Sequence, residues 1–355
     1  MKILHTADLH IDSPLTSHLS ADKVRERRAE LFSTLSAMVE SSAQSGIRIM
    51  IVAGDLFDSD KITKTAKKRT LSLIAAHSEI SFFYLPGNHE EGGLISGEEA
   101  LPENLFLFGE EWTYFASGDL VIAGRSTTSK DMFNTLSLPA DKRNIVVLHG
   151  ELRDRSDEGG VIGKRDAAGK NIDYLALGHY HSYSAERIDD RCTAVYSGTP
   201  EGRGFDELGD KGFVLVDSSD TELSHRFVPF ARRRLHEIVA DVSGASDLYE
   251  LERRADTALS AIPDSDLVRL ILTGYRQVGF SVDTAALDAR FGRNFYYFEI
   301  KDETRLKISA ADYERDLSLK GEFIRLVMAD TSLSDRKKEE IIACGLAALL
   351  GEAAI

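Results

Sequence analysis

Five short apolar runs, Ile3-Leu4, Ile49-Met50-Ile51-Val52, Phe82-Phe83-Tyr84-Leu85, Ile145-Val146-Val147-Leu148 and Tyr174-Leu175-Ala176-Leu177, each lead into a cluster of carboxylate, imidazole or amide residues. Runs this brief, mostly rich in β-branched or aromatic residues and closed by glycine or a polar residue, read as buried strands rather than pieces of helix. Between them lie helical patterns such as Leu31, Leu35, Val39 and Ala43 at a spacing of four, closed by Gly46. Alternating strands and helices predict a layered α/β domain whose polar residues collect at the carboxyl ends of the strands.

Those ends read Asp8-Leu9-His10, Gly54-Asp55, Gly87-Asn88-His89, His149-Gly150 and Gly178-His179-Tyr180-His181. Asp8, His10, Asp55, Asn88, His149, His179 and His181 together offer nitrogen and oxygen donors with no thiolate. That is more than one first-row divalent ion accepts, so two ions are expected. Asp55 is the natural bridge, holding the pair at roughly 3.5 to 4 Å so that both the attacking and the leaving oxygen of an in-line displacement are clamped. The donor set favours manganese, iron or zinc over calcium. Taken alone, Asp-x-His is most often a polar strand end. The five clusters in order carry the metal reading, and His5 and His77 fall outside them as packed or surface residues.

In identity, order and rough spacing these motifs resemble the calcineurin-like metallophosphoesterase superfamily. The resemblance implies a layered α-β-β-α sandwich in which Asp8, His10, Asp55 and His181 hold one ion and Asp55, Asn88, His149 and His179 the other. Manganese is the expected metal, with magnesium, iron or zinc as alternatives. His89 is left unliganded, and the resemblance implies that it is catalytic, protonating the leaving alkoxide. An imidazole that titrates near neutrality suits that task.

A narrower likeness lies in the opening Ile3-Leu4-His5-Thr6-Ala7-Asp8-Leu9-His10-Ile11-Asp12-Ser13-Pro14, in Gly54-Asp55-Leu56-Phe57-Asp58, and in Gly198-Thr199-Pro200-Glu201-Gly202-Arg203-Gly204-Phe205-Asp206-Glu207-Leu208-Gly209-Asp210-Lys211-Gly212. These resemble DNA repair exonucleases of the SbcD type, especially their YhaO-like branch. The implied activity is hydrolysis of DNA phosphodiester bonds. The implied partners are DNA and an SMC-like coiled-coil ATPase of the SbcC or YhaN type, and a homodimer is also admitted. SbcD proper has histidine where Asp58 stands and usually aspartate where Glu90 stands, and the tryptophan common after the first aspartate is missing here. Two other readings stay open. One is a phosphatase or cyclic-nucleotide phosphodiesterase, since Gly87-Asn88-His89-Glu90 also occurs in protein phosphatases, although their Asp-Arg-Gly is missing. The other is a DNA-tethering subunit with an idle site.

Asp58 and Arg203 are candidates for substrate contact. Asp58 could equally cap the following helix. Arg203, in a Gly-rich loop, could meet phosphate or could pair with a nearby acid.

With 355 residues, 43% of them hydrophobic, the chain can bury a sizeable core. Only Cys192 and Cys344 are present, which suits a reducing cytoplasm. A ligand at position 8 leaves no room for a cleaved signal peptide, and the apolar stretch from Ile341 to Leu350 is too short to span a bilayer, so a cytoplasmic protein without a membrane partner is expected. The net charge of −15 opposes binding to DNA phosphates. Local basic groups at Arg25, Arg27 and Arg28, at Lys64, Lys67, Lys68 and Arg69, and at Arg232 to Arg234 are either solvated helix faces or a DNA track.

Three domains are expected. Residues 1–230 form the metallophosphoesterase (nuclease) domain, and the triple arginine marks its end. Residues 231–310 form a small α+β module with strands at His236–Val239, Val268–Leu272 and Phe295–Phe298 and a helix at Asp247–Leu259. In the resembling nucleases such a module caps the active site and guides DNA. Residues 311–355 form a helical segment with Ser334 as an N-cap. Its apolar faces, Phe323, Leu326 and Val327, and Ile342, Leu346 and Leu350, either pack onto their own domain or dock a partner.

Overall fold

In the computed structural model all five apolar runs are strands, distributed over two six-stranded sheets. The structure describes residues 1–15, 19–58, 62–87, 100–156, 159–219, 222–276, 280–307 and 313–350. The chain divides into two compact units, Met1–Arg234 and Leu235–Ile355.

In the first unit, one sheet runs in the order Ser224–Pro229, Gly212–Asp217, Lys2–Thr6, Ile49–Ala53, Ser81–Leu85, Leu105–Leu107. Its last four strands are mutually parallel. The other sheet runs Ser184–Arg187, Thr193–Tyr196, Tyr174–Gly178, Arg143–His149, Leu120–Gly124, Thr113–Ser117, with a parallel centre and an antiparallel strand at each edge.

Strand periodicity explains the layering, because successive side chains leave a strand on opposite faces. Ile3, Ile49, Ile51, Phe83 and Leu85 form one buried cluster with Ile122, Ile145, Val147, Tyr174 and Ala176, which joins the two sheets. Their neighbours Leu4, Met50, Val52, Phe82 and Tyr84 pack instead with Leu35, Met38, Val39, Leu71 and Ile74 of the helices Ala21–Gln44 and Lys64–Ala76. Each such side chain, fully buried, contributes about 1.5–3 kcal/mol relative to exposure. On the far side, Val146, Leu148, Leu175 and Leu177 are covered by Met132, Phe133, Ala167 and Ile172, which come from a 3₁₀ turn, a four-residue helix and their connections. Both long helices begin at hydroxyl caps: Ser20 accepts from the Lys23 N–H and Thr63 from the Ala66 N–H.

The second unit opens with three parallel strands in chain order, Leu235–Asp241, Leu267–Thr273 and Tyr297–Asp302. The helices Leu248–Leu259 and Thr284–Phe291 bury Leu251, Ala255, Leu287 and Phe291 against Val268, Leu270 and Leu272. Arg269 sits in one register row with Glu237 and Glu299 and lies 3.3 Å from each carboxylate. Two further helices, Leu319–Ala329 and Asp335–Leu350, pack through Ile324, Ile342 and Leu346, with Phe323 and Val327 against them. Ser334 caps the last helix by accepting from the Lys337 N–H. Ile342 and Leu346 are thus buried within their own unit, whereas Leu319 and Leu326 are 72% and 65% exposed. Among the described residues no helix is long and apolar enough to cross a membrane.

Candidate metal centre

The strands Lys2–Thr6, Ile49–Ala53, Arg143–His149 and Tyr174–Gly178, from both sheets, bring the residues at or just past their carboxyl ends together, and between the first two, backbone hydrogen bonds continue past the ends. The Asp8 N–H donates to the Gly54 carbonyl and the His10 N–H to the Asp55 carbonyl, both at 3.0 Å. In the other sheet His149 and Gly178 are register partners, so the segment holding His179 and His181 leaves beside His149.

Two groups of donors result. Asp8, His10 and His181 form one, and Asp8, Asp55 and His149 the other, with ligand atoms inside each group all within 4.8 Å of one another. Asp8 is therefore common to both. Asp55 Oδ2 also stands between the halves, 3.4 Å from His149 Nε2 and 3.9 Å from His10 Nε2. The His179 backbone N–H donates to the Asp8 carboxylate at 3.0 Å and fixes it. The His179 ring stands edge-on to His149 at a centroid distance of 5.6 Å but belongs to neither group. Asn88 and His89 lie outside the described residues.

This convergence requires an unusual backbone. Asp8, His10, Asp55 and His179 all have positive φ, at 52°, 47°, 48° and 108°. Left-handed conformations of non-glycine residues cost on the order of 1–3 kcal/mol each and persist where the surroundings enforce them, commonly at functional sites. Two glycines make room. A Cβ on Gly54 would run into the His149 ring, and one on Gly87 into the Asp55 carboxylate.

The electrostatics suit a cation. Asp8 is fully buried and Asp55 is 3% exposed, an arrangement of two carboxylates that is costly without compensating positive charge. Burial pushes the Asp8 carboxyl up to about 7, against the pull of His149 and His181. Burial alone would lower His149, but contact with Asp55 and the charges of Asp8 and Asp55 prevail and push it up to about 9. Both shifts mark a place where the fold favours added positive charge, which divalent ions would supply. The nitrogen and oxygen donors fit such ions.

A ring of side chains backs the ligands. His10 Nδ1 is 2.9 Å from Asp58 Oδ1, and His181 Nδ1 is 2.7 Å from Glu207 Oε1. Arg203 donates to Asp58 at 2.8 Å and to Glu207 at 3.0 Å. Burial would raise Glu207, but His181 and Arg203 outweigh it and hold the carboxyl down to about 2. Glu207 carries no motif of its own; its only sequence signal is its place in the Gly-rich stretch that includes Arg203.

The basic groups divide in two. Arg27 is buried and bonded to Glu30, Glu201 and the Gly202 carbonyl. Arg28 pairs with Asp12, Arg233 with Glu30 and Glu26, and Arg234 with Asp210. Lys64, Lys68 and Arg69 instead line an open groove of about 540 Å³ with Phe32, Ser72 and Leu73. Arg69 lies 4.0 Å above the Phe32 ring.

A family model described as calcineurin-like phosphoesterase matches residues 1–193. The uncharacterized metallophosphoesterase YhaO of Bacillus subtilis (strain 168) is 27% identical over 304 residues, covering 77% of this chain and 72% of that protein. The DNA double-strand break repair protein Mre11 of Saccharolobus solfataricus is 26% identical over 238 residues, 62% of this chain and 61% of its own length. Mre11 of Methanosarcina acetivorans is 24% identical over 284 residues, 75% of this chain and 44% of its own. The chain thus spans less than two thirds of either Mre11 protein.

Proposed function

The chain belongs to the calcineurin-like phosphoesterase family, and we propose that within it the protein is a metal-dependent phosphodiesterase that cleaves DNA backbone phosphodiesters, as an exonuclease in DNA repair. The observation that carries this reading is the pair of ligand groups sharing Asp8 where the strands of both sheets end. Two divalent ions bound there would supply the positive charge that a phosphodiester and its developing oxyanion need. Asp8, His10, Asp55 and His181 would hold one ion and Asp55, Asn88, His149 and His179 the other, with Asp55 shared between them. Manganese is the expected metal. His89 delivers a proton to the departing 3′ oxygen, a step a poor alcohol leaving group needs.

The names of the two Mre11 relatives support DNA as the substrate. The groove carrying Lys64, Lys68 and Arg69 offers cations to a phosphate backbone. A net charge of −15 keeps the affinity of the chain alone low, so an SMC-like coiled-coil ATPase of the SbcC or YhaN type assists it. Residues 231–310 guide DNA, and residues 311–355 dock the ATPase through the exposed face of Leu319 and Leu326. Both cysteines are free, which supports a reducing cytoplasm as the location.

A metal-by-substrate screen tests this reading. Linear duplex DNA, single strands, bis-p-nitrophenyl phosphate and a phosphomonoester are each offered with manganese, magnesium and zinc. Release of nucleotides from DNA ends and cleavage of the diester are expected. Turnover of the monoester alone would make the protein a phosphatase.

A further inference from the structure

We propose that Asp58, Arg203 and Glu207 form a clamp that fixes His10 and His181 in one tautomer and aims both Nε2 atoms at a single metal ion. A carboxylate without a proton only accepts hydrogen bonds, so the 2.7 Å contact of Glu207 with His181 Nδ1 places a proton on that nitrogen. Asp58 Oδ1 stands 2.9 Å from His10 Nδ1 as an ion-pair contact, and its negative charge favours the proton on that nitrogen over Nε2. Each Nε2 then presents a lone pair. The two Nε2 atoms are 3.2 Å apart, too close for two lone pairs unless an electron-pair acceptor lies beside both. Asp8 completes a cation site with them.

Arg203 locks the two carboxylates to each other. One guanidinium nitrogen donates to Asp58 at 2.8 Å, a second to Glu207 at 3.0 Å and Nε to Glu207 at 3.2 Å, while its backbone N–H holds the other Glu207 oxygen at 2.8 Å. It also approaches His181 Nδ1 to 3.3 Å, but guanidinium is a donor only, so the shorter carboxylate contact decides where the imidazole proton sits. The loop bearing Arg203 and Glu207 is itself anchored. Lys211, 2% exposed, donates to the His181 carbonyl at 2.7 Å, and Glu201 accepts from Thr34 at 2.8 Å. In contrast, His149 Nδ1 is backed by the neutral Ala53 carbonyl at 2.9 Å. A charged acceptor raises the donor strength of an imidazole more than a neutral one. Glu207 and Arg203 are therefore positioning residues for one ion of the pair.

This inference rests on the proposed metal centre, and its test separates the two. Metal-free wild type and Glu207→Gln are titrated with manganese by calorimetry, and the side-chain ¹⁵N spectrum of the metal-free wild type reports the histidine tautomers. Wild type should take up two equivalents. Glu207→Gln should bind one of them about 10–100-fold more weakly, as loss of such a partner usually does, and the other unchanged. His10 and His181 should both carry their proton on Nδ1. Unchanged binding of both equivalents by Glu207→Gln, or a proton on Nε2 of His181, overturns the clamp. Should Glu207→Gln not fold, the wild-type spectrum decides alone. Fewer than two equivalents in wild type would instead count against the dinuclear centre, leaving the tautomers to judge the clamp.

Discussion

The Nε2 atoms of His10 and His181 meet at 3.2 Å although the residues come from different sheets. The strands Lys2–Thr6 and Tyr174–Gly178 deliver them to a common end, left-handed turns at Asp8 and His10 swing the first segment inward, and carboxylates behind both rings aim them. The same relationship makes chemistry and coordination separable by mutation.

His89 is proposed as an acid and not a ligand, so His89→Gln should keep both metal equivalents and cleave DNA roughly 10² to 10⁴ times more slowly. The deficit should shrink on bis-p-nitrophenyl phosphate, whose leaving group needs little protonation. Loss of one equivalent, seen by metal analysis, would make His89 a ligand.

Stability of the metal-free chain should fall as pH rises. Asp8, pushed up to about 7 from 3.8, stabilises the fold while protonated, and that contribution is lost between those values. His149, raised to about 9 from 6.5, loses its contribution over that higher window. Glu207 is shifted the other way and matters only in acid. Thermal unfolding in chelator should therefore show a Tm decreasing from pH 6 to 9, with the gain from added manganese growing over the same range. A manganese gain independent of pH would contradict the assignment of these protons.

The groove on the helix Lys64–Ala76 gives a salt-dependent prediction. Replacing Lys64, Lys68 and Arg69 by alanine should weaken DNA binding and lower the slope of log affinity against log salt by about 0.7–0.9 per cation lost. Hydrolysis of bis-p-nitrophenyl phosphate should be unaffected. An unchanged slope, measured by fluorescence anisotropy, would remove the groove from the DNA path.

For the partner, Leu319→Glu with Leu326→Glu should abolish co-purification with a coiled-coil ATPase while leaving Tm unchanged, because both side chains are exposed. Retained binding would move the interface elsewhere.

Much of this architecture is legible in the sequence, for a physical reason. Strands buried on both faces, such as Ile49–Ala53 and Tyr174–Gly178, leave uninterrupted apolar runs, and the donors that follow them need only be read off. The strands Ser184–Arg187 and Thr113–Ser117 leave no such trace. They are sheet edges, exposed or half-exposed throughout, and owe their conformation to backbone pairing. The positive φ of Asp8, His10 and Asp55 has no residue signature either, since these are not glycines. Arg27 sits in an apparently basic cluster yet is buried, because Glu201 reaches it from 174 positions away. Glu207 finds His181 across 26 positions in a loop whose composition announces only turns.

The most direct measurement is the metal content of wild type and Asp55→Asn after equilibrium dialysis against manganese, with diester hydrolysis assayed on the same samples. Asp55 faces both halves of the centre through one carboxylate oxygen. The account predicts two equivalents per wild-type chain and, in Asp55→Asn, loss of bound metal together with activity. Two equivalents and undiminished turnover in the variant would contradict it.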